Sequence, residues 1–496
     1  LGAAPPLSAF EMDLFETEDL RMLYFDPFQT YLVHYAAQNF QNSLEYHQEM
    51  LSWVPWERPT VILKDFSDYG NAGATGTPHN LVAVDIAPLN RTLETFPANE
   101  RMYMLMNHEL VHVATIDGWN EQDARWRKFF GGKPQVTGEH PESILYNYLA
   151  TPRNSSPRWY MEGSATFMET WMSGGIGRAQ GAYDEMVFRS KVRDDATFYS
   201  NLGLVSRGTS SDFQVGVNAY LYGTRFMSYL ALVYTPQQVL DWYRRDEGSA
   251  RYYATQFQQV FGKSLEEAWD DWIAWEKGFQ AANLERVRQS PLTQGRRLAA
   301  QPLGSVSRSH IDEDNKALIG AFRYPGVVAH VGVMSLEDGS IRRLVDVKGP
   351  ALYSVSSTAW DPASRTLFYT ADNLAWRDLM AVDVDSGESR MLLEDTRIGD
   401  LAFNSKDRSL WGLRHADGFV TVVRVPHPYE EWEDIHTFPY GQVPFEIALS
   451  PDGSMLSASM AEVNGHQFLR VFGTEALKAG EADAIREFDF NDITVP

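Results

Sequence analysis

Two histidines have the spacing that lets one metal ion be shared along a helix. His108 and His112 stand four residues apart in a His-Glu-x-x-His pattern. The stretch 97–117 has helical spacing of its apolar residues, and positions four apart lie on one helix face. Glu109 is offset around that helix, where a carboxylate can act as a general base without ligating the ion. The alternative is a surface helix with two incidental histidines, because this short pattern is only moderately specific.

A second predicted helix supplies a candidate third ligand. A catalytic zinc site needs three protein ligands and one open position. The helix after Pro157 carries Trp159-Tyr160-Met161-Glu162-Gly163-Ser164-Ala165. This segment resembles the third-ligand helix of the gluzincin metallopeptidases, Trp-x-x-Glu-Gly-x-Ala. The resemblance implies that Glu162 binds zinc together with the two histidines, and that one Zn²⁺ is the cofactor.

The same resemblance implies roles for two further side chains. Aminopeptidase-like gluzincins carry a glutamate seven residues after the third ligand, which matches Glu169; there it would accept the free N–H of a ligating histidine. The alternative for Glu169 is a solvated helix charge. These relatives also carry a tyrosine three residues before a glycine, which matches Tyr220, whose phenol would hydrogen-bond an oxyanion. Tyr222 is the nearby alternative, and either tyrosine could instead be a core aromatic.

The chain departs from the gluzincin pattern in two places. Between His112 and Glu162 lie 49 residues, more than in the family. We expect the polar insertion 119–156 to loop out over the cleft, and His140 within it to be a surface histidine and no ligand. Aminopeptidase-type relatives hold the substrate amine with a Gly-x-Met-Glu-Asn segment, whereas residues 71–75 offer no acidic anchor. This difference favours an endopeptidase.

The elements before the metal-binding helix predict where a substrate would lie. Residues 28–53 have helical spacing, and the apolar runs 60–63 and 81–86 predict two strands. A Gly/Asn/Ala loop, 69–74, is expected between them. We expect 81–86 to be the edge strand to which an extended peptide adds by main-chain pairing. The expected reaction is hydrolysis of a peptide bond, with Glu109 carrying the proton from water to the leaving amine.

Periodicity divides the chain into unlike regions and predicts a multidomain α+β protein. Residues 1–96 mix helix and strand signals, and 97–286 are almost entirely helical. The gluzincin resemblance implies that these two regions form a thermolysin- or aminopeptidase-like zincin domain. Residues 287–304 read as a linker, and 305–496 show only strand signals.

The strand region repeats a unit of roughly 40–50 residues, the size of one four-stranded propeller blade. Each unit has a turn cluster between alternating apolar runs: Asp312–Asn315, Asp361–Ser364, Asn404–Asp407 and Ser450–Gly453. The Ser-Pro-Asp-Gly turn and an Asp-Ser-Gly hairpin resemble the TolB-like β-propellers. Four blades are few for a closed ring, and open blades expose strand edges. We therefore expect an incomplete propeller, completed by further sequence or by a second chain; a closed four-bladed ring would contradict this.

Composition excludes several classes of function. The formal charge of −23, from 43 Lys and Arg against 66 Asp and Glu, disfavours nucleic acid and anionic membrane surfaces as partners. The absence of cysteine excludes disulfides, thiolate-bound metals and thiol nucleophiles. No apolar run is long enough to span a bilayer. The start, Leu1–Pro6, reads as a processed terminus, and with the TolB-like resemblance it suggests a periplasmic or secreted protein.

Two other functions share these residues. A binding or assembly protein could use the propeller as its working part and keep an idle or structural zinc site, although a structural site has no need of Glu109. A zinc hydrolase acting on a small molecule would use the same ligands, and a narrow closed pocket would favour it over a peptidase, whose partner is a peptide or protein substrate.

Overall fold

The computed structural model describes residues 11–89, 100–175, 177–205, 215–299, 303–324, 326–349, 354–373 and 376–490. Along these residues a small mixed sheet with one helix is followed by a helical region and then by four antiparallel sheets. The expected processed start and the predicted helix start at Pro97 lie outside the described residues. None of the described helices is long and apolar enough to cross a membrane.

The first region is a five-stranded sheet covered by one long helix. Its strand order is β1-β2-β3-β5-β4, with β2, β3 and β5 parallel and both outer strands antiparallel. The helix occupies the segment predicted as helical and buries residues spaced three to four apart, which makes it amphipathic. The elements are β1 (Glu11–Glu16), β2 (Arg21–Asp26), α1 (Thr30–Leu51), β3 (Thr60–Lys64), β4 (Asn71–Thr75) and β5 (Leu81–Asp85).

The predicted Gly/Asn/Ala loop, 69–74, overlaps β4, one of the two edge strands of this sheet. Asn71–Thr75 pairs antiparallel with Leu81–Asp85, so β5 lies inside the sheet and its prediction as the edge was wrong. Gly, Asn and Ala have low strand propensity, which hides this strand from a reading of the sequence. Here the backbone pairing with a buried neighbour decides the conformation. Among the described strands, β4 has a partner on one side only.

The second region is helical from Arg101 to Val287. The most extensive contacts between its helices position the candidate site. In these contacts α2 packs against α1 and α5, and α5 packs against α8. The helices are α2 (Arg101–Asp117), α3 (Glu121–Phe130), α4 (Ser143–Ala150), α5 (Arg158–Met172), α6 (Ala182–Arg193), α7 (Asn201–Val205), α8 (Val215–Val233), α9 (Pro236–Tyr243), α10 (Tyr253–Phe261) and α11 (Leu265–Val287).

The insertion 119–156, which precedes α5, is folded and contains α3 and α4, so the expectation that it loops out was wrong. Asn120 and Asp123 form a capping box that starts α3, a signal present in the sequence. Asp123 is fully buried and pairs with Arg245 of the segment after α9, at 2.7 Å. Buried polar residues misled the sequence interpretation, because their partners lie far along the chain. His140 is an exposed residue beside Glu142, as expected.

The third region consists of four blades, and the predicted multidomain α+β architecture with about four propeller blades is confirmed. In each blade a predicted turn cluster joins two strands. The strands are β6 (Ser305–Val306), β7 (His310–Asp312), β8 (Ala317–Arg323), β9 (His330–Ser335), β10 (Ile341–Asp346), β11 (Thr358–Asp361), β12 (Thr366–Asp372), β13 (Arg377–Asp383), β14 (Ser389–Leu393), β15 (Ile398–Phe403), β16 (Leu410–Ala416), β17 (Phe419–Val425), β18 (Glu433–Phe438), β19 (Gln442–Leu449), β20 (Met455–Glu462), β21 (Gln467–Gly473) and β22 (Arg486–Asp489), with α12 (Thr474–Lys478) between the last two.

Apolar contacts join each blade to the next. One buried cluster lies between the first and second blades, another between the second and third, and a third between the third and fourth. Between the first and fourth blades the described residues show a polar contact instead: Arg308 donates to the carbonyl of Ile447 at 2.7 Å and pairs with Glu446 at 3.0 Å. Completion of the propeller by further blades stays a prediction.

A buried ion-pair cluster fixes the blades to the first sheet. Arg397 of the third blade pairs with Asp65 at 2.7 Å and with Asp68 at 2.8 Å, and all three side chains are at most one-tenth exposed. Beside them Arg101, at the start of α2, donates to the carbonyl of Gly418 at 2.6 Å. The blades are therefore joined to the first sheet and to α2, the helix that carries His108 and His112.

We expect Arg397→Met to destabilise the protein, because it leaves the buried carboxylate of Asp65 without its cation. Asp68 keeps only its longer pair with Arg377, at 3.4 Å. Breaking a buried ion pair by removing one partner costs about 3–5 kcal/mol. The urea midpoint of the full chain, followed by tryptophan fluorescence, should fall. Arg343→Met is the matched control: its pair with Asp346 is about half exposed, and such pairs contribute about 0–1 kcal/mol. Equal midpoints for the two variants would contradict the assigned role of Arg397.

Candidate metal centre

The site is built where α2 crosses α5 and α5 crosses α8. All residues of α2 except Tyr103 and His112 are buried, and the side chain of His112 is only 12% exposed. The α5–α8 contact requires glycine on both helices, since a Cβ on Gly163 would lie 2.6 Å from the Cα of Gly223. This close approach brings Glu162, next to Gly163, and Tyr220, one turn before Gly223, to the same place.

Three nitrogen and oxygen atoms converge with the spacing of metal ligands. The Nε2 atoms of His108 and His112 are 3.2 Å apart, and they lie 3.5 Å and 3.3 Å from Oε2 of Glu162. Zinc bonds of about 2.0–2.1 Å in a tetrahedron place neighbouring ligand atoms about 3.3–3.4 Å apart. The three measured distances agree with the edges of that tetrahedron. The structure thus brings together the three predicted ligands.

The two oxygens of Glu162 have different surroundings. Oε1 accepts a hydrogen bond from Nε of Arg158 at 3.1 Å. Oε2 is buried without a hydrogen-bond partner, a costly state for a carboxylate oxygen unless a cation binds it. Burial raises the pKa of Glu162, but the neighbouring histidines outweigh burial and hold this pKa well below its usual range. A charged, unpartnered oxygen aimed at two histidines fits a divalent cation.

Glu169 is a buried partner of the first histidine and no solvated charge. Its side chain is 3% exposed, and Oε2 accepts from Nδ1 of His108 at 2.7 Å. The other ring nitrogen of His108 is left facing the converging ligands, which is the orienting role expected for Glu169. Arg178 binds both carboxylate oxygens, with Nε at 2.7 Å from Oε1 and Nη2 at 2.8 Å from Oε2.

The electrostatic environment of the site favours a positive charge. Burial lowers the pKa of His108, but the carboxylates of Glu162 and Glu169 outweigh burial and raise it to about 10. A metal ion must displace that proton, as binding to histidine generally requires. Glu109 is 5% exposed, and burial raises the pKa of its carboxyl, which the two histidines oppose. A base with a raised pKa holds a proton more readily than an exposed carboxylate does.

Tyr220, and not Tyr222, lies beside the ligands. Its ring stacks on His108 with centroids 6.2 Å apart and planes inclined by 21°. Guanidinium carbons of Arg158 and Arg178 each lie 5.5 Å from the centre of its ring. Tyr222 is fully buried, and its hydroxyl accepts from the backbone N–H of Tyr199 at 3.2 Å, so it is the core aromatic of the pair.

The sequence interpretation missed both arginines of the site. Arg158 precedes Glu162 by four residues on α5, and this i, i+4 spacing could have identified the pair. Arg178 lies in a short 3-10 turn (Arg178–Gln180) after the end of α5, where no local pattern marks it. Only the return of the chain towards α2 places it against Glu169.

Comparisons with known proteins identify no family for this chain. No protein-family model matches it, and no curated protein sequence matches it. A protein designated TolB from Agrobacterium tumefaciens is 13% identical over 37% of this chain and 66% of its own, with a TM-score of 0.31. TolB from Acinetobacter baumannii is 12% identical over 38% and 43%, with a TM-score of 0.30. Pyrococcus horikoshii acylaminoacyl peptidase is 12% identical over 37% and 32%, with a TM-score of 0.25.

These likenesses are partial in both directions. The matched part of this chain spans less than two thirds of each of the three solved chains, and each match covers well under half of this chain. At such identities and TM-scores they carry no conclusion about activity. Function must therefore be argued from the residues of the site.

Proposed function

We propose that this protein is a zinc-dependent metallopeptidase of the gluzincin type that hydrolyses internal peptide bonds. The observation that supports it most directly is the triangle of Nε2, Nε2 and Oε2 atoms of His108, His112 and Glu162, whose sides of 3.2–3.5 Å match a tetrahedral zinc site. The zincin fold implied by the sequence resemblance is part of the same proposal.

The side chains around this triangle can perform the steps of hydrolysis. When bound, zinc would polarise a substrate carbonyl and lower the pKa of a water molecule. Glu109 accepts the proton of the attacking water and delivers it to the leaving amine. Tyr220 donates a hydrogen bond to the oxygen on which negative charge develops. Glu169 holds the ring of His108 in one orientation, and Arg178 holds Glu169.

The edge strand β4 is the proposed place for the peptide backbone. It replaces β5 in that role, because β5 is paired on both sides. β4 packs against α2, the helix that carries Glu109 and both histidines. A strand with one open edge can pair with an extended peptide through main-chain hydrogen bonds. Since Asn71–Thr75 offers no acidic anchor for an amine, an internal peptide bond is the favoured substrate.

The test is hydrolysis of a mixed peptide library followed by mass spectrometry. We expect internal cleavage that a chelator abolishes and that added Zn²⁺ restores, with one zinc per chain by elemental analysis. Release of single amino-terminal residues would replace the endopeptidase by an aminopeptidase. A metal-loaded protein that cleaves no peptide in the library would contradict the proposal.

Tyr220→Phe tests the assigned oxyanion contact. We expect kcat to fall by about 10²–10³-fold, the usual effect of losing one oxyanion donor, with zinc content unchanged. Tyr222→Phe is the matched control, since it removes the same hydroxyl from the same helix but from the core. The control should keep its kcat within about twofold, because the hydroxyl of Tyr222 bonds the backbone of Tyr199 and contacts none of the three candidate ligands. A larger loss for Tyr222→Phe than for Tyr220→Phe would reverse the assignment.

A binding or assembly role for the blades is the second candidate. The described residues after 303 form four antiparallel sheets, one of five strands and three of four, and such blades serve binding in many proteins. In this alternative the metal site is structural or idle, and Glu109→Gln would leave the protein's function intact. A zinc hydrolase acting on a small molecule would instead cleave small esters or amides and no peptide. The periplasmic or secreted location stays a prediction.

A further inference from the structure

The charges around the candidate zinc site do not cancel. Three carboxylates surround it, those of Glu109, Glu162 and Glu169, with two guanidinium groups, those of Arg158 and Arg178. Glu169 is matched by the two-point ion pair with Arg178. A divalent cation matches the charges of Glu109 and Glu162. The charge of Arg158 is then in excess, so the metal-loaded site carries a net charge of about +1.

Arg158 is also the more exposed of the two cations of the site. Its side chain is 37% exposed, whereas that of Arg178 is 20% exposed and is held by Glu169. Among the described residues, Glu162 is the only carboxylate that an ion pair joins to Arg158, through Nε alone. Arg158 also lies beside Tyr220, the proposed oxyanion contact, with its guanidinium carbon 5.5 Å from the centre of that ring. A planar guanidinium has five N–H donors and can serve several acceptors at once.

The excess positive charge is local and opposes the charge of the whole chain. A protein of net charge −23 repels anionic molecules at long range. Arg158 can therefore attract an anionic group only at short range, through direct hydrogen bonds to an acceptor beside the proposed cleavage site. Residues 71–75 provide no acidic group to hold a substrate amine. Both observations favour a negative over a positive group on the substrate.

We propose that Arg158 binds a carboxylate of the substrate close to the scissile bond, so that the protein prefers acidic peptides or peptides ending nearby in a free carboxyl group. This inference rests on the proposed peptidase function, because that function is what makes the substrate a peptide. The carboxylate belongs either to an Asp or Glu side chain or to a chain terminus; the chemistry of recognition is the same, a charge-assisted bond to guanidinium.

The test uses two pairs of labelled peptides with one parent sequence. The first pair ends in a free carboxylate or in an amide close to the cleaved bond. The second pair has both ends blocked and carries Glu or Gln beside that bond. Cleavage is measured as kcat/KM for the wild-type, Arg158→Gln, Arg158→Lys and Arg193→Gln proteins. Arg193 lies on the surface beside Asp194, so Arg193→Gln changes the net charge equally without touching the site.

We expect the wild-type protein to favour the charged member of at least one pair by about tenfold or more, the size of one charge-assisted contact. Arg158→Gln should abolish that preference, Arg158→Lys should retain part of it, and Arg193→Gln should retain all of it. The pair that shows the preference identifies the source of the carboxylate. No preference, or one that Arg158→Gln leaves unchanged, overturns the inference.

A binding measurement separates this inference from the proposed function. The same four peptides are titrated into zinc-loaded Glu109→Gln protein by fluorescence anisotropy, where no hydrolysis is needed. A preference for the carboxylate peptides that Arg158→Gln removes supports the inference even if no peptide is ever cleaved. If Arg158→Gln instead lowers zinc content and weakens all four peptides alike, Arg158 only positions Glu162, and the inference is wrong.

Discussion

Glu109→Gln is expected to lower kcat/KM for peptide hydrolysis by about 10²–10⁴-fold, the contribution of a positioned general base. Glutamine has the same shape but cannot take a proton from water. Zinc content should stay at one per chain, since none of the three ligand atoms belongs to Glu109. The measurements are steady-state kinetics on a peptide found in the library and elemental analysis of the same samples.

The matched control for this prediction is Glu142→Gln in the insertion. Glu142 is about half exposed and pairs with His140 at the surface, so its charge is lost far from the chemistry. We expect its kcat/KM to equal that of the wild-type protein. Peptide cleavage by Glu109→Gln at the wild-type rate would contradict the assignment of Glu109 as the general base and would favour the binding role of the blades. Loss of zinc from Glu109→Gln would show that this carboxylate supports the metal instead.

Glu162→Gln is expected to abolish stable zinc binding and with it activity. The change removes the anionic ligand and leaves two histidines, fewer than the three protein ligands of a catalytic zinc site. Zinc should also cease to stabilise the fold. A ligand present at about 1,000 times its Kd raises the free energy of unfolding by about 4 kcal/mol. Thermal unfolding with Zn²⁺ and with chelator measures this difference, which should vanish in Glu162→Gln.

Glu169→Gln is the comparison that gives this result its meaning. Glu169 orients His108 without reaching the ligand triangle, and losing such a partner weakens metal binding by about 10–100-fold. Competition with a chromogenic chelator should rank the affinities as wild type, then Glu169→Gln, then Glu162→Gln. Full zinc content and an unchanged zinc-dependent shift of Tm in Glu162→Gln would contradict the ligand set. An affinity of Glu169→Gln below that of Glu162→Gln would exchange their roles.

The candidate metal centre shows how much can be predicted from the spacing of residues along one helix. Within one helix, the angle between side chains is fixed by 3.6 residues per turn, so His108 and His112 had to share a face. The same rule places Tyr220 and Tyr222 on opposite faces of α8. It does not decide which face meets α2 and which enters the core, because that depends on how the helix packs. The structure decides this through the glycine contact between α5 and α8.

The edge of the first sheet shows where a prediction from propensity fails. The apolar run at β5 was predicted to be a strand, but its pairing with a neighbouring strand on each side was not predicted. Asn71–Thr75 has few residues that favour strands, and its pairing with β5 supplies what its side chains do not. The order of strands in a sheet is a long-range property, so the sequence around each strand says little about which strand is outermost.

The sequence by itself determined what depends on neighbours along the chain: the paired histidines with their glutamate, the helix that carries Glu162, and the four blade turns. Each is a helix or hairpin pattern whose geometry is fixed within a few residues. Only the tertiary structure decided what depends on distant segments meeting. It placed Arg178 on Glu169, made β4 the edge, and joined Arg397 of the blades to Asp65 and Asp68 of the sheet. The partners of these charges and of this strand edge are set by the packing of the whole chain, so no local sequence pattern predicts them.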